Sequence, residues 1–167
     1  MSSESDERLV YIGMSADILH IGHINIISKA KGLISSENAD RLIIGLLTNE
    51  AIESYKRMPI VNWEERKQVL LALKGVETVV PQHTLDYRIN LRKFKPKYCV
   101  HGSDWKNPKS AQYQTRQDVM DCLAEWGGEL VEPDYTQGVS TTEIIDECAS
   151  RSSNSLINKE VVVRKEG

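Results

Sequence analysis

Long apolar runs, paired cysteines and a strong net charge are all missing from this sequence. No apolar run approaches the ~20 residues of a membrane-spanning helix, and the first seven residues are polar and acidic, unlike a signal peptide. The three cysteines are scattered without a CxxC pair, which favours reduced thiols in a cytoplasm over a disulfide framework or zinc site. The net charge of −3 argues against a general nucleic-acid-binding surface.

Two common phosphate-binding motifs are also absent. The chain contains neither GxGxxG nor GxxxxGKS/T, so a dehydrogenase-type dinucleotide fold and a P-loop are unsupported. What is present is ordinary for one soluble globular domain: 167 residues, 40% of them hydrophobic and 27% charged.

Short apolar segments alternate with helical patterns along the chain. Strands are predicted at 9–14, 41–47, 77–80, 98–100 and 129–131, and helices at 21–33, 62–73, 112–126 and 140–149. This order predicts an α/β fold with a five-stranded, largely parallel sheet and helices on both faces. Ligands of such sheets bind at the carboxyl ends of the strands, near the point where the strand order reverses.

The C-terminal segment differs in composition from the rest of the chain. Residues 151–155 (RSSNS) are typical of a loop, and the residues after them are too few to add a core. We therefore expect one domain over 1–150, followed by a polar tail or linker over 151–167. A frayed terminus is the alternative.

The strongest functional signal is the tetrapeptide from His20 to His23, HIGH, between the first strand and the first helix. Its two imidazoles can face one ligand, and Gly22 between them would let a phosphate approach the backbone. The helix N-terminus would add free N–H groups and positive potential. Together these features predict an anion site for a phosphoryl group. Two unrelated surface histidines are the alternative, and zinc is disfavoured because no third ligand is evident.

Two further segments could bind phosphate. Gly138 opens a predicted helix that starts with three hydroxyl residues, Ser140 to Thr142, although simple capping by Ser140 is an alternative. The pair Lys56-Arg57 precedes a helix that carries Arg66-Lys67. Four cations near two anion sites suggest a polyphosphate ligand, and a solvated charged face is the alternative.

The segment HGSDW directly follows the strand at 98–100. Its carboxylate, Asp104, and its indole, Trp105, could read a nucleobase by a hydrogen bond and by packing. An ordinary core position is the alternative for Trp105.

In order and spacing, the segments GMSAD, HIGH, KRMP, NWEERK, HGSDW and GVSTTEI resemble those of the cytidylyltransferase family, over roughly residues 9–146. HIGH is shared with class I aminoacyl-tRNA synthetases, but those enzymes would need a KMSKS-like loop and a longer chain. The variant pattern, with SYKRMP, AEWGGELVE and YTQG, looks most like the cytidylyltransferases of phosphonate biosynthesis. Those are often fused to a phosphoenolpyruvate mutase domain.

The resemblance implies a Rossmann-like nucleotidyltransferase that transfers CMP from CTP to 2-hydroxyethylphosphonate or 2-aminoethylphosphonate, releasing pyrophosphate. An alcohol phosphate such as phosphoethanolamine, phosphocholine or glycerol 3-phosphate is the alternative acceptor, and a non-catalytic nucleotide-binding domain is the alternative from another class. The resemblance also implies Mg²⁺ held mainly by the CTP phosphates, a homodimer, and coupling to a phosphoenolpyruvate mutase. No nucleic-acid or membrane partner is expected.

Carried over position by position, the resemblance also implies roles for individual residues. Catalysis falls to His20, His23 and Lys56. Acceptor binding is expected of Asp86, Tyr87 and Tyr135, with helix capping as the alternative for Asp86; Tyr135 stands where the family commonly has arginine. CTP binding is implied for Gly13, Met14, Ser15, Asp17, Gly22, Arg66 (or a structural role), His101, Gly102, Asp104, Trp105, Thr136, Gly138, Ser140, Thr141 and Thr142.

Overall fold

Strands and helices alternate as predicted in the computed structural model, which describes residues 8–34 and 41–165, with side chains up to residue 154. The strands are β1 (Leu9–Met14), β2 (Arg41–Leu47), β3 (Thr78–Gln82), β4 (Tyr98–Val100) and β5 (Glu129–Val131). The helices are α1 (Ile21–Lys31), α2 (Asn49–Glu53), α3 (Trp63–Leu71), α4 (Arg88–Phe94), α5 (Tyr113–Ala124) and α6 (Thr141–Lys165), and a 3-10 turn spans Ser103–Lys106. Residues 1–7, including the acidic segment, lie outside the described part.

The five strands form one parallel sheet in the order β3-β2-β1-β4-β5. The chain runs outward from the central strand β1 to β3 and then crosses to β4 on the other side of β1. The strand order therefore reverses between β1 and β4, and the carboxyl ends of these two strands form the expected ligand-binding edge. The α/β fold prediction is confirmed.

Alternate residues of the central strands fill the two faces of the sheet. Val10 and Ile12 pack in one buried cluster with residues of α1 and α3, such as Ala30 and Leu70. Tyr11 belongs to a second cluster, with residues of α4 and α5. Helices thus cover both faces, and this is why β1 and β2 are apolar along nearly their whole length.

Two local differences from the predicted elements have simple causes. Strand β3 runs on through Pro81, where the sequence predicted an end at residue 80; β3 is an edge strand, so the missing N–H of Pro81 breaks no bond on its open side. The short helix α2 was not predicted. It begins where the Thr48 hydroxyl accepts a hydrogen bond from the Ala51 N–H at 3.2 Å.

The loop predicted at residues 151–155 is wrong, because α6 continues to Lys165. The Ser153 hydroxyl donates to the Ala149 carbonyl at 3.0 Å, and Arg151 pairs with Glu147 one turn earlier at 2.6 Å. These bonds satisfy polar side chains inside a helix. The chain divides into two compact units, 1–136 and 137–167, and α6 lies in the second.

The described cysteines Cys99, Cys122 and Cys148 are all unpaired. None of the helices in the described part of the chain is both long and apolar enough to cross a membrane.

Gly45 of β2 tests how tightly the second face is packed. The Tyr11 hydroxyl, which donates to Gln82 Oε1 at 2.6 Å, occupies the space above Gly45, and a Cβ there would collide with it. Gly45→Ala should lower the free energy of unfolding by about 1–3 kcal/mol, because one of these buried groups must move. Urea denaturation measures the effect. Gly32→Ala, whose Cβ would meet its nearest neighbour at 3.4 Å, is the matched control; equal losses in both variants would contradict this interpretation.

Candidate active site

The loop after β1 has an unusual backbone. Ala16 and Ile18 both adopt positive φ angles, 45° and 60°, although neither is glycine. A β-branched residue such as Ile18 is rare in this region, and each such residue costs on the order of 1–3 kcal/mol. Interactions with the rest of the fold must therefore hold this loop in place.

Asp17, between these two residues, makes the interactions that keep the loop in place. Its fully buried carboxylate accepts hydrogen bonds from the backbone N–H groups of Ile60 and Val61 at 3.0–3.1 Å and pairs with Arg57 at 2.8 Å. Burial disfavours its charge, but these bonds outweigh burial and lower the pKa of Asp17 below its usual value. The resemblance implied CTP binding for Asp17; its surroundings indicate a structural role instead, because it joins two loops beneath the site.

Arg66 of α3 makes a second buried connection. It donates to the backbone carbonyls of Ser15, Leu47 and Val61 at 2.6–2.9 Å, and to Asn49 Oδ1 at 2.8 Å. Its side chain is almost fully buried. Of the two roles proposed for it, the structural one matches this geometry, because protein oxygens occupy all three guanidinium nitrogens.

His20 and His23 cap helix α1 reciprocally. His20 is the N-cap residue, and its Nδ1 accepts from the Gly22 N–H at 3.1 Å. The Nδ1 atom of His23 accepts in turn from the His20 N–H at 3.2 Å. The two ring centroids are 4.0 Å apart, so the imidazoles lie side by side as the sequence predicted.

These two bonds fix the tautomer of each imidazole. A ring nitrogen that accepts from a backbone N–H carries no proton, so each neutral ring has its own N–H at Nε2. Burial, assisted by His20 and Lys56 nearby, lowers the pKa of His23 to about 4. His23 is therefore a neutral hydrogen-bond donor at pH 7.

The cap corrects two sequence expectations. Backbone N–H groups were expected to be free at the start of α1, but those of Gly22, His23 and Ile24 all donate to His20. Gly22 was expected to make room for a phosphate, but a Cβ there would lie 2.8 Å from Cε1 of His20. Gly22 thus makes room for the imidazole.

Of the four cations expected near the phosphates, Lys56 has the most suitable position. Its Nζ donates to the Ser15 hydroxyl at 3.3 Å, and it is close enough to His23 to lower that residue's pKa. Arg57 is paired with Asp17 and Arg66 is buried, as described above. Lys67 lies over the Trp63 ring at 5.1 Å, which agrees with the charged-face alternative. The four cations expected from the sequence therefore overstate the positive charge that faces a ligand.

The carboxyl end of β4 carries a stack of two rings. His101 stacks on Trp105 with ring centroids 3.6 Å apart, and the Trp105 indole N–H donates to Glu132 at 2.6 Å. Trp105 is fully buried, so direct packing against a base is wrong for it and the core alternative is right. Asp104 remains half exposed, with Oδ1 3.8 Å from Nδ1 of His101.

The segment after β5 connects the carboxyl end of β1 with that of β4. The sequence predicted only some of the residues that make this connection. Asn25 of α1 donates to the Thr136 hydroxyl at 3.0 Å, and the Tyr135 N–H donates to the Ser103 hydroxyl at 3.1 Å. Neither Asn25 nor Glu132 was predicted. Glu132 gave one usable signal: an acidic residue directly after a strand on the binding edge of the sheet.

Of the two acceptor-binding predictions after β3, the one for Tyr87 needs correction. Asp86 accepts from the Arg88 backbone N–H at 3.0 Å and pairs with the Arg88 guanidinium at 2.8 Å, but the N-cap of α4 is Tyr87, which makes no side-chain cap bond. Acceptor binding by Asp86 therefore stays a prediction. These bonds from Arg88 lower the pKa of Asp86. Tyr87 is buried, and its hydroxyl donates to the Gly13 carbonyl at 3.3 Å. Tyr87 thus supports the fold where the sequence expected substrate contact. Met14, predicted to bind CTP, likewise lies in the core.

The second unit contains the remaining predicted phosphate ligands. Gly138 has a positive φ of 75°, and the Ser140 hydroxyl accepts from the Glu143 N–H at 3.1 Å, so Ser140 caps α6. Thr141 and Thr142 begin the helix. Phosphate binding by these residues stays a prediction.

Within the described residues, no group of three or more His, Cys, Asp or Glu side chains could hold a metal ion. Asp17, beside the histidines, is already occupied by Arg57 and two backbone N–H groups. Coordination of Mg²⁺ mainly by the phosphates of a bound nucleotide stays a prediction.

Comparison with known proteins agrees with this arrangement. A family model described as Cytidylyltransferase-like matches residues 11–147 of the chain. The chain belongs to this family. In this member of the family, the HIGH segment forms the reciprocal imidazole cap described above.

Relatives of this cytidylyltransferase-like chain differ in what their names say they act on. An ethanolamine-phosphate cytidylyltransferase of Mus musculus is 30% identical over 87% of this chain and 34% of its own length. An FAD synthase of Methanopyrus kandleri is 35% identical over 69% of this chain and 76% of its own. The chain spans about a third of the length of the first curated relatives it matches.

A solved structure shares the fold. The lipopolysaccharide core biosynthesis protein of Thermoplasma volcanium superposes with a TM-score of 0.62 at 20% identity, covering 78% of this chain and 98% of that one.

The lowered pKa of His23 predicts a specific pH dependence of stability. Below pH 6.5 the unfolded chain binds a proton at this residue, whereas the folded protein binds it only near pH 4. The free energy of unfolding should therefore fall as the pH drops from 6.5 to 4, by at most about 3 kcal/mol from this residue. His23→Asn, whose amide oxygen can still accept from the His20 N–H, should weaken this dependence in urea titrations between pH 7 and 4. The exposed His83→Asn is the control, and an unchanged slope in His23→Asn would contradict the assignment.

Proposed function

We propose that this domain transfers CMP from CTP to a small phosphonate, 2-hydroxyethylphosphonate or 2-aminoethylphosphonate, and releases pyrophosphate. The observation that carries nucleotidyl transfer is the reciprocal His20–His23 cap with Lys56 nearby. The family, and relatives named cytidylyltransferases, support CTP as the donor. The phosphonate acceptor rests on the variant pattern of the sequence segments.

In this mechanism an acceptor oxygen attacks the α-phosphorus in line, the bond from the α-phosphorus to the bridging oxygen breaks, and pyrophosphate leaves. A phosphonate oxygen is largely ionised near neutral pH, so no strong general base is required. The Nε2–H groups of His20 and His23 donate to phosphate oxygens as negative charge shifts during the reaction. Lys56 adds a positive charge beside the α-phosphate and the acceptor, so catalysis consists of positioning and electrostatic stabilisation.

Mg²⁺, which the sequence resemblance implies, would neutralise part of the triphosphate charge. A homodimer and a phosphoenolpyruvate mutase partner are further proposals, and they rest on the resemblance alone.

An alcohol phosphate is the second candidate acceptor, and the name of the mouse relative favours phosphoethanolamine. A phosphate ester and a phosphonate differ by one bridging atom, oxygen or CH₂. A single methylene changes binding by only about 1–3 kcal/mol, so we expect a preference and not exclusion.

The test is pyrophosphate release for CTP, UTP, ATP and GTP against a panel of the two phosphonates, phosphoethanolamine, phosphocholine and glycerol 3-phosphate. The proposal expects CTP with a phosphonate to give the highest kcat/KM. Faster turnover of a phosphate ester would overturn the phosphonate acceptor and leave cytidylyl transfer standing. No pyrophosphate with any pair would overturn the enzymatic proposal in favour of a nucleotide-binding domain.

Replacing either capping histidine separates its two roles. His20→Ala and His23→Ala remove both the cap and the Nε2–H donor, whereas His20→Asn and His23→Asn keep an acceptor for the cap. All four should lower kcat by at least ~10²-fold, the usual effect of losing one preorganised donor. The alanine variants should in addition lose about 0.5–2 kcal/mol of stability. Near-normal kcat in the asparagine variants would mean that the histidines act only as caps.

A further inference from the structure

We propose that Tyr135 binds the nucleotide by stacking: its ring forms the face against which the cytosine of CTP packs. This inference rests on the proposed function. It moves Tyr135 from the acceptor, where the sequence placed it, to the base.

Three side chains of different chemistry surround Gly102, at the carboxyl end of β4. A Cβ at Gly102 would lie 3.7 Å from the Tyr135 ring, 3.6 Å from Cδ1 of Ile26 and 3.0 Å from Oδ1 of Asp104. A nucleobase needs apolar contact for its faces and polar partners at its edge. The aromatic ring, the aliphatic side chain and the carboxylate meet these needs together.

The backbone around Tyr135 is held by hydrogen bonds on both sides, while the residue as a whole stays 47% exposed. Its N–H donates to the Ser103 hydroxyl at 3.1 Å, and the Ser103 N–H donates to the Pro133 carbonyl at 3.1 Å. On the other side, the Thr136 hydroxyl accepts from Asn25 at 3.0 Å. A ring on a fixed backbone loses little conformational freedom when a ligand binds.

Tyr135 also lies next to the segment that carries the histidines. Thr136, the next residue, has its Cβ 3.8 Å from the place of a Cβ at Gly22, within the segment that carries both histidines. Tyr135 therefore lies between the proposed phosphate donors and Asp104, the proposed partner of the base edge. At the same strand end the ring of Trp105 is fully buried and has no face to offer. The ring of His101 stacks on it with centroids 3.6 Å apart, so one face of His101 is covered.

The test measures binding and not turnover. Isothermal titration gives the Kd of CTP, UTP, CMP and inorganic tripolyphosphate for the wild type, Tyr135→Leu and Tyr135→Phe. Tyr135→Leu should raise the Kd of CTP, UTP and CMP by a similar factor, about tenfold or more. The Kd of tripolyphosphate, which has no base, should stay unchanged. Tyr135→Phe should restore tight binding because it keeps the ring. Met120→Ala, at a similarly exposed position on α5, is the control for a surface apolar truncation.

Asp104→Ala distinguishes recognition of the base edge from stacking on the base face. It should narrow the preference for CTP over UTP, whereas Tyr135→Leu should weaken both alike. An unchanged nucleotide Kd in Tyr135→Leu, or a raised Kd for the acceptor alone, would overturn the stacking role while cytidylyl transfer stands. If the wild type bound ATP in place of CTP, the cytidylyl proposal would fail. In that case a higher Kd for ATP in Tyr135→Leu than in the wild type would still support stacking.

Discussion

The buried carboxylate of Asp17 holds together the two loops on which the candidate site depends. It lies between two residues with positive φ angles and accepts backbone hydrogen bonds from a segment more than forty residues further along the chain. The histidine pair begins three residues after Asp17, and Lys56 lies immediately before its partner Arg57. One fully buried acid therefore connects the loop that precedes the imidazoles to the segment that carries the lysine.

Beneath the proposed phosphate donors lies a layer of buried polar groups that are bonded to other protein groups. Arg66 reaches four oxygen atoms from three separate segments, which a single ammonium group could not do. Glu132 accepts from Arg116 and from Trp105, and so fixes the ring on which His101 stacks. These bonds outweigh burial and lower the pKa of Glu132, so it stays charged. Exposed side chains can be held precisely only where such a layer supports them.

The sequence predicted those structural features that depend on residues close together along the chain. The apolar run of β2 and the cap of α3 by Asn62 are local patterns, and both are present. The HIGH segment was located for the same reason. Whether Trp105 faces a ligand or the core depends on Glu132, which is 27 residues away, and no local pattern shows that bond. Gly22 likewise looked suited to a phosphate because the position of the His20 ring cannot be read from the spacing. The helical residues after 150 were missed because serine hydroxyls can bond within a helix as well as in a loop.

The proline in β3 limits how this sheet can take part in larger assemblies. A second strand could extend the sheet only by bonding to the open side of β3 or of β5, the two outer strands of the described sheet. Pro81 offers no N–H there, and β5 is only three residues long with an exposed Glu129 at its start. Both borders of the described sheet are thus poor templates for an added strand, and the central strands that shape the site keep their present neighbours.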